Sequence, residues 1–456
     1  MTEQPRRVDA VHRTALLSAH DGSQPTVRDA LDAHTRTGIL IHADATTCED
    51  AAGQAALLTA VATAVRAFGT VLVAVDTADA QLRSGPYRGA TLSHVLTEIG
   101  AVSSHPNGPS WPVLLIGAQT PPPSARPGTP VLRASWSGWT ARVQVADDRT
   151  EGDPCDDTCV LAPIAAGALG VAEAFTFIRR LPGNDAGFRD VVLDLWSLGR
   201  PADAPAPPLC YAPCAWWLVG LGHLGQANAW VISWLSYQNP NEIEIILQDT
   251  DLTIPANHST GLFTPVNSDG MPKTRLVAAV LDRLSYRTRI IERPLTSYTK
   301  ADPADPHVAL IGVDNLAARR LLSSVGWRTA IDAGLGAGAR DFSSIALHRF
   351  PGAFPSSSVP AWADSTTPPV TIPDQPAFKD AEDRLGRCGV VELAGKAIGA
   401  AYVGAVAACL TIAEAVRELH RGPGYDVAAL DLLTHDPRTA PAETRANIIH
   451  APLAHS

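Results

Sequence analysis

Positive charge is in short supply in this 456-residue chain, and lysine most of all. Lys and Arg together number 36 against 46 Asp and Glu, which gives a formal net charge of −10. That balance argues against general nucleic-acid binding, which needs a surplus of cations to neutralise phosphates. The only lysines are Lys273, Lys300, Lys379 and Lys396, because arginine supplies the other basic residues. Each lysine is therefore more informative than in an average protein.

The start of the chain, MTEQPRRVDAVHRTALL, lacks the continuous apolar segment that a secretory signal needs. We therefore expect a cytoplasmic protein. Residues 397–413 form a long uncharged run, but it consists of small residues, is slightly short for a membrane span, and lies between Lys396 and Glu414. This pattern predicts a buried helix, and no membrane association is expected.

The cysteines do not indicate a disulfide framework, since their number, seven, is odd and no signal sequence accompanies them. We expect reduced thiols. Two pairs, Cys155 with Cys159 and Cys210 with Cys214, leave open a zinc site of four thiolates. Structural zinc sites favour two-residue gaps, however, and these pairs straddle a predicted domain boundary. Ordinary packing is therefore the favoured interpretation.

Proline-rich stretches divide the chain near residues 103–130, 199–214 and 351–376. Proline removes backbone donors and restricts the residue before it, so these stretches are predicted to be loops or linkers. The second stretch is the main predicted boundary. It separates a domain at 1–200 from a domain at 215–456.

Both predicted domains alternate apolar strand-like runs with helical runs. GILIHA, GTVLVAVDT, WPVLLIGA and ARVQVADD precede the linker at 201–214, and AWWLVGLG, EIEIILQDTD, RTRIIERPL, HVALIGVD and RTAIDAGLG follow it. Buried runs that alternate with helices predict a largely parallel sheet covered on both faces. The fold class is therefore α/β, with two tandem Rossmann-like, doubly wound, mostly parallel sheets.

The two domains share an ending. PIAAGALGVAEAFTFIRRLPG precedes DVVLDLWSL in the first, and YVGAVAACLTIAEAVRELHRGPG precedes DVAALDLLT in the second. Glu173 corresponds to Glu414, and Asp194 corresponds to Asp431. This recurrence in the same order predicts a tandem duplication.

A G-x-G-x-x-G spacing occurs only in the second domain, as Gly220, Gly222 and Gly225 in WLVGLGHLG. Such a turn lets the backbone approach a phosphate at a helix N-terminus. The next strand ends at Asp249 and Asp251, where an acid can accept hydrogen bonds from ribose hydroxyls. NAD-binding and ATP-binding folds both use this arrangement, so these residues alone leave the nucleotide open.

The following segment distinguishes the two nucleotides. It contains Asn257 and then Asp-Gly-Met-Pro-Lys, in which Lys273 opens a helix whose dipole favours anions. A dehydrogenase usually continues directly into its next strand and helix. Asp314 ends a later strand, where a carboxylate can bind magnesium.

The ordered set GLGHLG, D-x-D, Asn, D-G-x-P-K and V-D-N resembles the ThiF/MoeB/HesA superfamily, the bacterial relatives of ubiquitin-activating enzymes, over residues 214–435. The resemblance implies that ATP and Mg²⁺ bind and that a C-terminal carboxylate is adenylated. The implied partner is a ubiquitin-like protein, a carrier protein or a peptide with a free C-terminus. It also implies an intramolecular pseudo-dimer whose first copy is inactive, with further homo-oligomerisation left open.

The resemblance assigns residues by position. Those expected to contact the nucleotide are Gly220, Gly222, Gly225, Asp249, Asp251, Asn257 and Lys273. Asp314 is expected to bind magnesium, and it and Lys273 are candidates for catalysis. Arg13, in VHRTALLSAH, is the candidate for the arginine that reaches the partner copy's ATP, and a solvated helix arginine is the alternative.

Two further expectations follow from the resemblance, together with one departure. Cys388 is the candidate thioester nucleophile, because Arg384 and Arg387 flank it and positive charge favours thiolate. The loop at 351–376 corresponds to the segment under which a substrate tail passes. The family's phosphate-contacting arginine, three positions after its asparagine, is here Thr260, for which Arg275 is the candidate replacement.

Two other functions stay open. An NAD(P)-dependent oxidoreductase would use the glycine spacing and Asp249 but would leave Asn257 and Lys273 unexplained. An inactive scaffold of the same fold is favoured by Thr260, because an uncharged hydroxyl cannot stabilise developing phosphate charge as an arginine does.

Overall fold

The computed structural model describes residues 11–104, 111–117, 128–146, 155–156, 158–181, 184–200, 205–305, 307–336, 338–363, 370–443 and 448–454. Much of the first proline-rich stretch and residues 364–369 of the third lie outside these ranges. The residues of the candidate site all lie within them.

The first half builds its sheet from strands separated by helices. Its elements are α1 (Leu16–His20), α2 (Val27–Thr35), β1 (Gly38–Ala43), α3 (Ala45–Glu49), α4 (Ala51–Ala64), β2 (Thr70–Val75), α5 (Leu92–Ile99), β3 (Val102–Ser103), β4 (Val113–Ile116), β5 (Val131–Ser137), β6 (Thr140–Val145), α6 (Leu161–Arg179) and β7 (Val191–Asp194).

The second half repeats this alternation. Its elements are β8 (Tyr211–Pro213), β9 (Ala215–Val219), α7 (His223–Ser233), β10 (Glu244–Gln248), α8 (Lys273–Arg283), β11 (Arg287–Ile291), β12 (Val308–Ile311), α9 (Leu316–Arg319), α10 (Leu322–Val325), β13 (Thr329–Leu335), β14 (Ser344–Phe350), α11 (Pro376–Ala394), α12 (Ala401–Leu419), β15 (Tyr425–Asp431), β16 (Arg438–Pro441) and β17 (His450–Pro452). Short 3₁₀ turns also occur at Pro240–Glu242, Pro255–Ser259, Ser356–Ser358 and Pro360–Trp362.

The two large sheets have the same strand order. The first runs β3-β2-β1-β4-β5-β6-β7, and the second runs β11-β10-β9-β12-β13-β14-β15-β16. In each sheet the first five strands are parallel and the later ones are antiparallel. The α/β prediction with two tandem domains is thus confirmed, although the antiparallel share is larger than the sequence indicated. β5 and β14 were not among the predicted strands.

The halves pack through a helical layer that belongs to one continuous apolar core. Helix α12 contacts α7 of its own half and α4 and α6 of the other. Across this layer the indole N–H of Trp230 donates to Thr59 Oγ1 at 2.9 Å. Because both halves bury their apolar helices against each other, they form a pseudo-dimer within one chain.

The two equivalent glutamates occupy equivalent places. Glu173 on α6 accepts a hydrogen bond from the Gly187 backbone N–H at 3.2 Å, ahead of β7. Glu414 on α12 accepts one from the Tyr425 backbone N–H at 2.9 Å, at the start of β15. In each half a buried carboxylate therefore joins the long helix to the strand region that follows it.

Helix α12 confirms the prediction of a buried helix, beginning at Ala401 rather than at residue 397. Helix α6 is long and apolar enough to cross a membrane by length and composition alone, but 89% of its most apolar window is buried inside the protein. The predicted linker at 201–214 needs correction, because Tyr211–Pro213 form β8, which pairs with β17.

Candidate functional site

The glycine turn connects β9 to α7 and has a different steric reason for each glycine. Gly220 has a left-handed backbone, with φ of +82°, and a Cβ there would lie 2.9 Å from the Gly312 carbonyl oxygen. A Cβ at Gly225 would lie 1.8 Å from the Gly220 carbonyl oxygen, so this glycine lets the helix pack against the turn. A Cβ at Gly222 would meet no atom within 4 Å. The turn therefore opens to free space at the N-terminus of α7.

Asp249 follows β10 and fixes the turn. Its Oδ2 accepts a hydrogen bond from the Leu221 backbone N–H, and its Oδ1 accepts one from the Asp251 backbone N–H at 2.7 Å. A carboxylate has about four acceptor positions, so these two bonds leave capacity for a diol. The predicted ribose contact thus lies directly beside the glycine turn.

Lys273 and Asp251, both predicted to face the nucleotide, form an ion pair. The lysine Nζ lies 2.8 Å from Asp251 Oδ2, and the Lys273 backbone N–H donates to the Asp251 carbonyl at 3.1 Å. The lysine side chain is 10% exposed, whereas the aspartate is 64% exposed. The pairing fixes the ammonium group at the start of α8, and sequence spacing gave no sign of it.

Asp314 lies at the carboxyl end of β12, next to the glycine turn. A Cβ at Gly220 would lie 3.0 Å from the Val313 side chain, and the Gly312 N–H donates to the Val219 carbonyl at 2.8 Å. Asp314 itself is exposed. Among the described residues no group of three or more His, Cys, Asp and Glu side chains is placed to hold a metal. Mg²⁺ commonly takes one or two carboxylates together with substrate phosphates, so a single aspartate suits it.

Asn257 has a local structural task. Its Oδ1 accepts a hydrogen bond from the Ile254 N–H at 2.9 Å and closes the 3₁₀ turn Pro255–Ser259. Thr260, at the position of the family arginine, is buried, and its methyl group lies near Gly399. Arg275 pairs instead with Glu292 at 3.1 Å, so its charge is already compensated.

Two arginines of the first half reach this turn. The Arg13 backbone N–H donates to Ser259 Oγ at 3.1 Å. Arg66 donates through Nε to the Gly261 carbonyl at 2.9 Å and through Nη2 to the Leu262 carbonyl at 3.0 Å. Arg13 is half-buried in the turn before α1 rather than solvated on a helix. The pseudo-dimer therefore places the Arg66 guanidinium and the Arg13 backbone beside the segment that contains Thr260.

Three histidines near this junction are neutral at neutral pH. Burial, reinforced by the charges of His34, His258 and Arg66, lowers the pKa of His12 to about 3. Burial also lowers the pKa of His34 to about 4, and that of His223, at the start of α7, to about 4. Arg66 stays protonated, because burial lowers its pKa only to about 10. The positive charge here thus comes from arginine and lysine.

Cys388 does not join this group. It is exposed on α11, a helix that contacts α1 and α2 of the first half and kinks at Gly386. Arg384, one of its flanking cations, lies 3.0 Å from Asp380, which offsets its charge. Sequence proximity to the proline-rich loop therefore did not predict its place.

Arg66 is the residue that sequence reasoning missed at this site. It ends an otherwise uncharged helical run, AAGQAALLTAVATAV, where a lone cation is unusual. This single charge at the end of an uncharged helix was the sequence signal that could have identified Arg66. Its partners lie 195 and 196 residues away, so no local pattern identifies them.

Comparison with known proteins agrees with this two-part architecture. Family models described as the BilD N-terminal domain and the BilD C-terminal domain match residues 38–195 and 212–422. A curated relative from Collimonas sp. (strain OK412), described as bacterial E1-like protein BilD, is 30% identical over 465 residues, which cover 97% of this chain and 98% of the relative.

Solved structures of E. coli MccB are more distant. The structure with MccA-N7isoASN is 12% identical, with a TM-score of 0.34, and the match covers 51% of this chain and 65% of that one. The structure with AMPCPP and selenomethionine MccA is 14% identical, with a TM-score of 0.33, and covers 51% and 64%. This chain thus spans less than two thirds of either MccB chain, and at these scores the likeness carries no conclusion about ligands.

The paired sheets, the glycine turn and the relative matched over nearly its whole length define a protein of the E1-like class. The resemblance noted in the sequence is confirmed at that level. Within the class, the chain belongs to the BilD family of bacterial E1-like proteins.

Proposed function

We propose that this protein uses ATP to adenylate the C-terminal carboxylate of a ubiquitin-like protein, carrier protein or peptide. A carboxylate oxygen attacks the α-phosphorus, the bond from that phosphorus to the bridging oxygen breaks, and pyrophosphate leaves with the electron pair. The observation that carries the proposal is the convergence at one sheet edge of the open Gly222, Asp249 and the Lys273–Asp251 pair. Membership of an E1-like family supports the same reaction.

The residues at this edge suit the parts of ATP. Phosphate oxygens would lie against the backbone N–H groups at the start of α7, where no Cβ intervenes at Gly222 and the helix dipole favours anions. Asp249 would accept hydrogen bonds from ribose hydroxyls. Lys273 would stabilise negative charge that develops as pyrophosphate leaves. A magnesium ion, which would neutralise phosphate charge, would bind at Asp314.

Arg13 is proposed to supply the positive charge that Thr260 cannot. Its backbone is fixed to Ser259, one residue before the substituted position. The cation would thus come from the first half of the chain, as the pseudo-dimer geometry permits. This replacement favours an active enzyme over the inactive scaffold.

We further propose that the first half is a degenerate copy without its own nucleotide site. The equivalent edge of its sheet has no glycine turn after β1 and carries Asp44, Glu49, Asp76 and Asp79. Asp76 follows β2 as Asp249 follows β10. These four carboxylates outnumber Arg83, the cation that lines the cavity at this edge, and would repel a triphosphate.

Thermal unfolding with ligands tests the nucleotide. ATP with Mg²⁺ at about 100 times its dissociation constant should stabilise the folded state by about 2.7 kcal/mol, a shift of a few degrees. Lys273→Ala should abolish most of that shift. Lys379→Ala, the same change at an exposed lysine paired with Asp374, should retain it.

Other outcomes favour the rival functions. A shift only with NAD or NADP would favour an oxidoreductase and contradict the proposal. ATP binding without pyrophosphate exchange, measured with candidate C-terminal peptides and full-length carrier proteins, would favour the inactive scaffold.

A further inference from the structure

A cavity of about 550 Å³ lies in the second half, beside the carboxyl ends of β12 and β13. Its sides are mostly apolar and include Leu335, Ile345 and Leu430. Trp362, from the proline-rich segment predicted to cover a substrate tail, forms part of its wall. The cavity is large enough for a side chain of a bound polypeptide.

One end of this cavity carries polar groups without hydrogen-bond partners. Asp332 is fully buried, and neither of its carboxylate oxygens accepts a hydrogen bond from the described residues, although Arg319 Nε lies 3.2 Å from Oδ1. The same holds for Nδ1 of His348. Buried polar atoms are nearly always paired in folded proteins, since an unpaired one costs about 1–3 kcal/mol. In this cavity, a bound hydrogen-bonding group would supply the missing bonds of both residues.

The nearest cation does not supply them. Arg319 Nε lies 3.2 Å from Asp332 Oδ1, but this N–H donates to the Val313 carbonyl at 2.9 Å. Arg319 Nη2 donates to the Ala333 carbonyl at 3.2 Å, and the guanidinium lies 5.9 Å from the Trp362 ring. The arginine thus offsets the charge of Asp332 and leaves its acceptors open.

The same arginine connects the cavity to the nucleotide edge. Its partner Val313 directly precedes Asp314 and contacts the glycine turn, as described above. A carboxylate positioned at that edge for adenylation would therefore have its preceding residues close to the cavity. This step rests on the proposed function.

We propose that this cavity is a specificity site for a neutral, hydrogen-bond-donating side chain, a carboxamide or hydroxyl, near the C-terminus of the protein or peptide substrate. Asp332 accepts the hydrogen bond and His348 supplies a second polar contact. Trp362 and Leu335 pack against the side chain's apolar part. Asp332 is a specificity-determining residue and takes no part in the chemical step.

The charges around the cavity favour a neutral group. Burial raises the pKa of Asp332 to about 7, so above that pH its carboxylate, together with Asp431 in the cavity wall, repels an acidic side chain. A basic one would meet the Arg319 guanidinium, which already offsets the carboxylate. At the mouth, Arg438 lies 3.9 Å from Asp436, so those charges also compensate each other. A neutral donor satisfies the open oxygens without adding charge.

Peptide binding without ATP tests this site separately from catalysis. The probes are seven-residue, alanine-based peptides with a fluorescent N-terminus and a free carboxylate, in which one of the last four positions is Gln, Ser, Leu, Arg or Glu. Fluorescence anisotropy gives the dissociation constants for the full chain. At one of the four varied positions, the peptide with Gln or Ser should bind at least about tenfold more tightly than the peptide with Leu, Arg or Glu. One strong hydrogen bond is sufficient for a difference of this size.

Four variants make the result specific. Asp332→Leu should reduce the Gln-to-Leu ratio to about one, and Ala346→Leu, which fills the cavity from β14, should weaken every peptide. Asp282→Asn, on the exposed face of α8, should change nothing. Lys273→Ala should lose ATP binding but keep the peptide ratio. Thermal unfolding of each variant confirms that it is folded.

The outcomes separate the two proposals. A Gln or Ser preference that depends on Asp332 supports the specificity site, even if pyrophosphate exchange is absent and the adenylation proposal fails. No peptide binding, equal binding of all side chains, or a preference that survives in Asp332→Leu would overturn the specificity site. Pyrophosphate exchange in those cases would leave the adenylation proposal standing.

Discussion

Replacing single glycines of the β9–α7 turn by alanine separates the structural role of the turn from its ligand role. A methyl group at Gly222 would meet no protein atom within 4 Å, although its φ of −78° and ψ of −139° lie outside the regions that alanine prefers. We expect Gly222→Ala to cost about 1 kcal/mol, the lower end of the range for a sparsely populated backbone conformation. A methyl group at Gly225 would lie 1.8 Å from the Gly220 carbonyl oxygen. Because backbone must move there, Gly225→Ala should cost about 1–3 kcal/mol or more.

Gly222→Ala should have a large effect on ligand binding, in contrast to its small effect on stability. The added methyl group would lie where a phosphate approaches the backbone, so the dissociation constant for ATP should rise at least about tenfold, or about 1.4 kcal/mol. Isothermal titration calorimetry with ATP and Mg²⁺ measures this affinity, and urea unfolding measures stability. Wild-type affinity for ATP in Gly222→Ala would refute the placement of phosphate at this turn. Unchanged stability in Gly225→Ala would refute the packing argument.

Three further predictions test the surrounding residues. Arg66→Ala leaves two loop carbonyls without their donors, so the free energy of unfolding, measured in urea, should fall by about 3 kcal/mol. Arg66→Lys should lose less stability. Equal stability of the wild type and both variants would contradict this role. Three buried histidines should make stability depend on pH. In the folded protein the pKa is about 3 for His12 and about 4 for His34 and His223, whereas it is 6.5 for each in the unfolded chain. Below pH 6.5 the unfolded state therefore binds more protons than the folded state. The stability that these histidines contribute is present above pH 6.5 and is lost as the pH falls towards 4, by about 1.4 kcal/mol per pH unit for each histidine. Urea unfolding midpoints measured from pH 7.5 to 5 should detect this loss. A midpoint independent of pH would contradict the burial of neutral imidazoles. Cys388→Ser should leave pyrophosphate exchange unchanged, because adenylation needs no thiol. The same change should abolish any thioester between enzyme and substrate seen on a non-reducing gel. A thioester that persists in the variant would exclude Cys388 as the nucleophile.

Local sequence was sufficient for most of the regular structure. The runs GILIHA and AWWLVGLG contain β1 and β9, because a buried parallel strand needs a continuous apolar segment bounded by turn residues. The antiparallel strands were less visible. β14, SIALHRF, lacks a polar–apolar alternation in sequence and alternates only in burial over its first six residues. Its place next to β13 depends on pairing that the chain reaches only after folding.

The candidate site divides in the same way. Gly220, Gly222 and Gly225 were found from sequence because the steric requirement of a tight strand–helix turn is local and leaves a fixed spacing. Asp249 was found because it ends the next strand, which follows the glycine turn after a single helix. Each of these signals lies within a short segment.

Only the tertiary structure decided the remaining contacts. The bonds from Arg66 to carbonyls nearly two hundred residues away, and the open acceptors of Asp332, depend on which helices and strands the fold places side by side. Hydrogen bonds and burial act over a few ångströms in space, whereas a sequence pattern records only neighbours along the chain. The sequence by itself therefore determined most strands and helices and the glycine turn. Long-range packing decided which charges surround that turn and which polar atoms lack a hydrogen-bond partner.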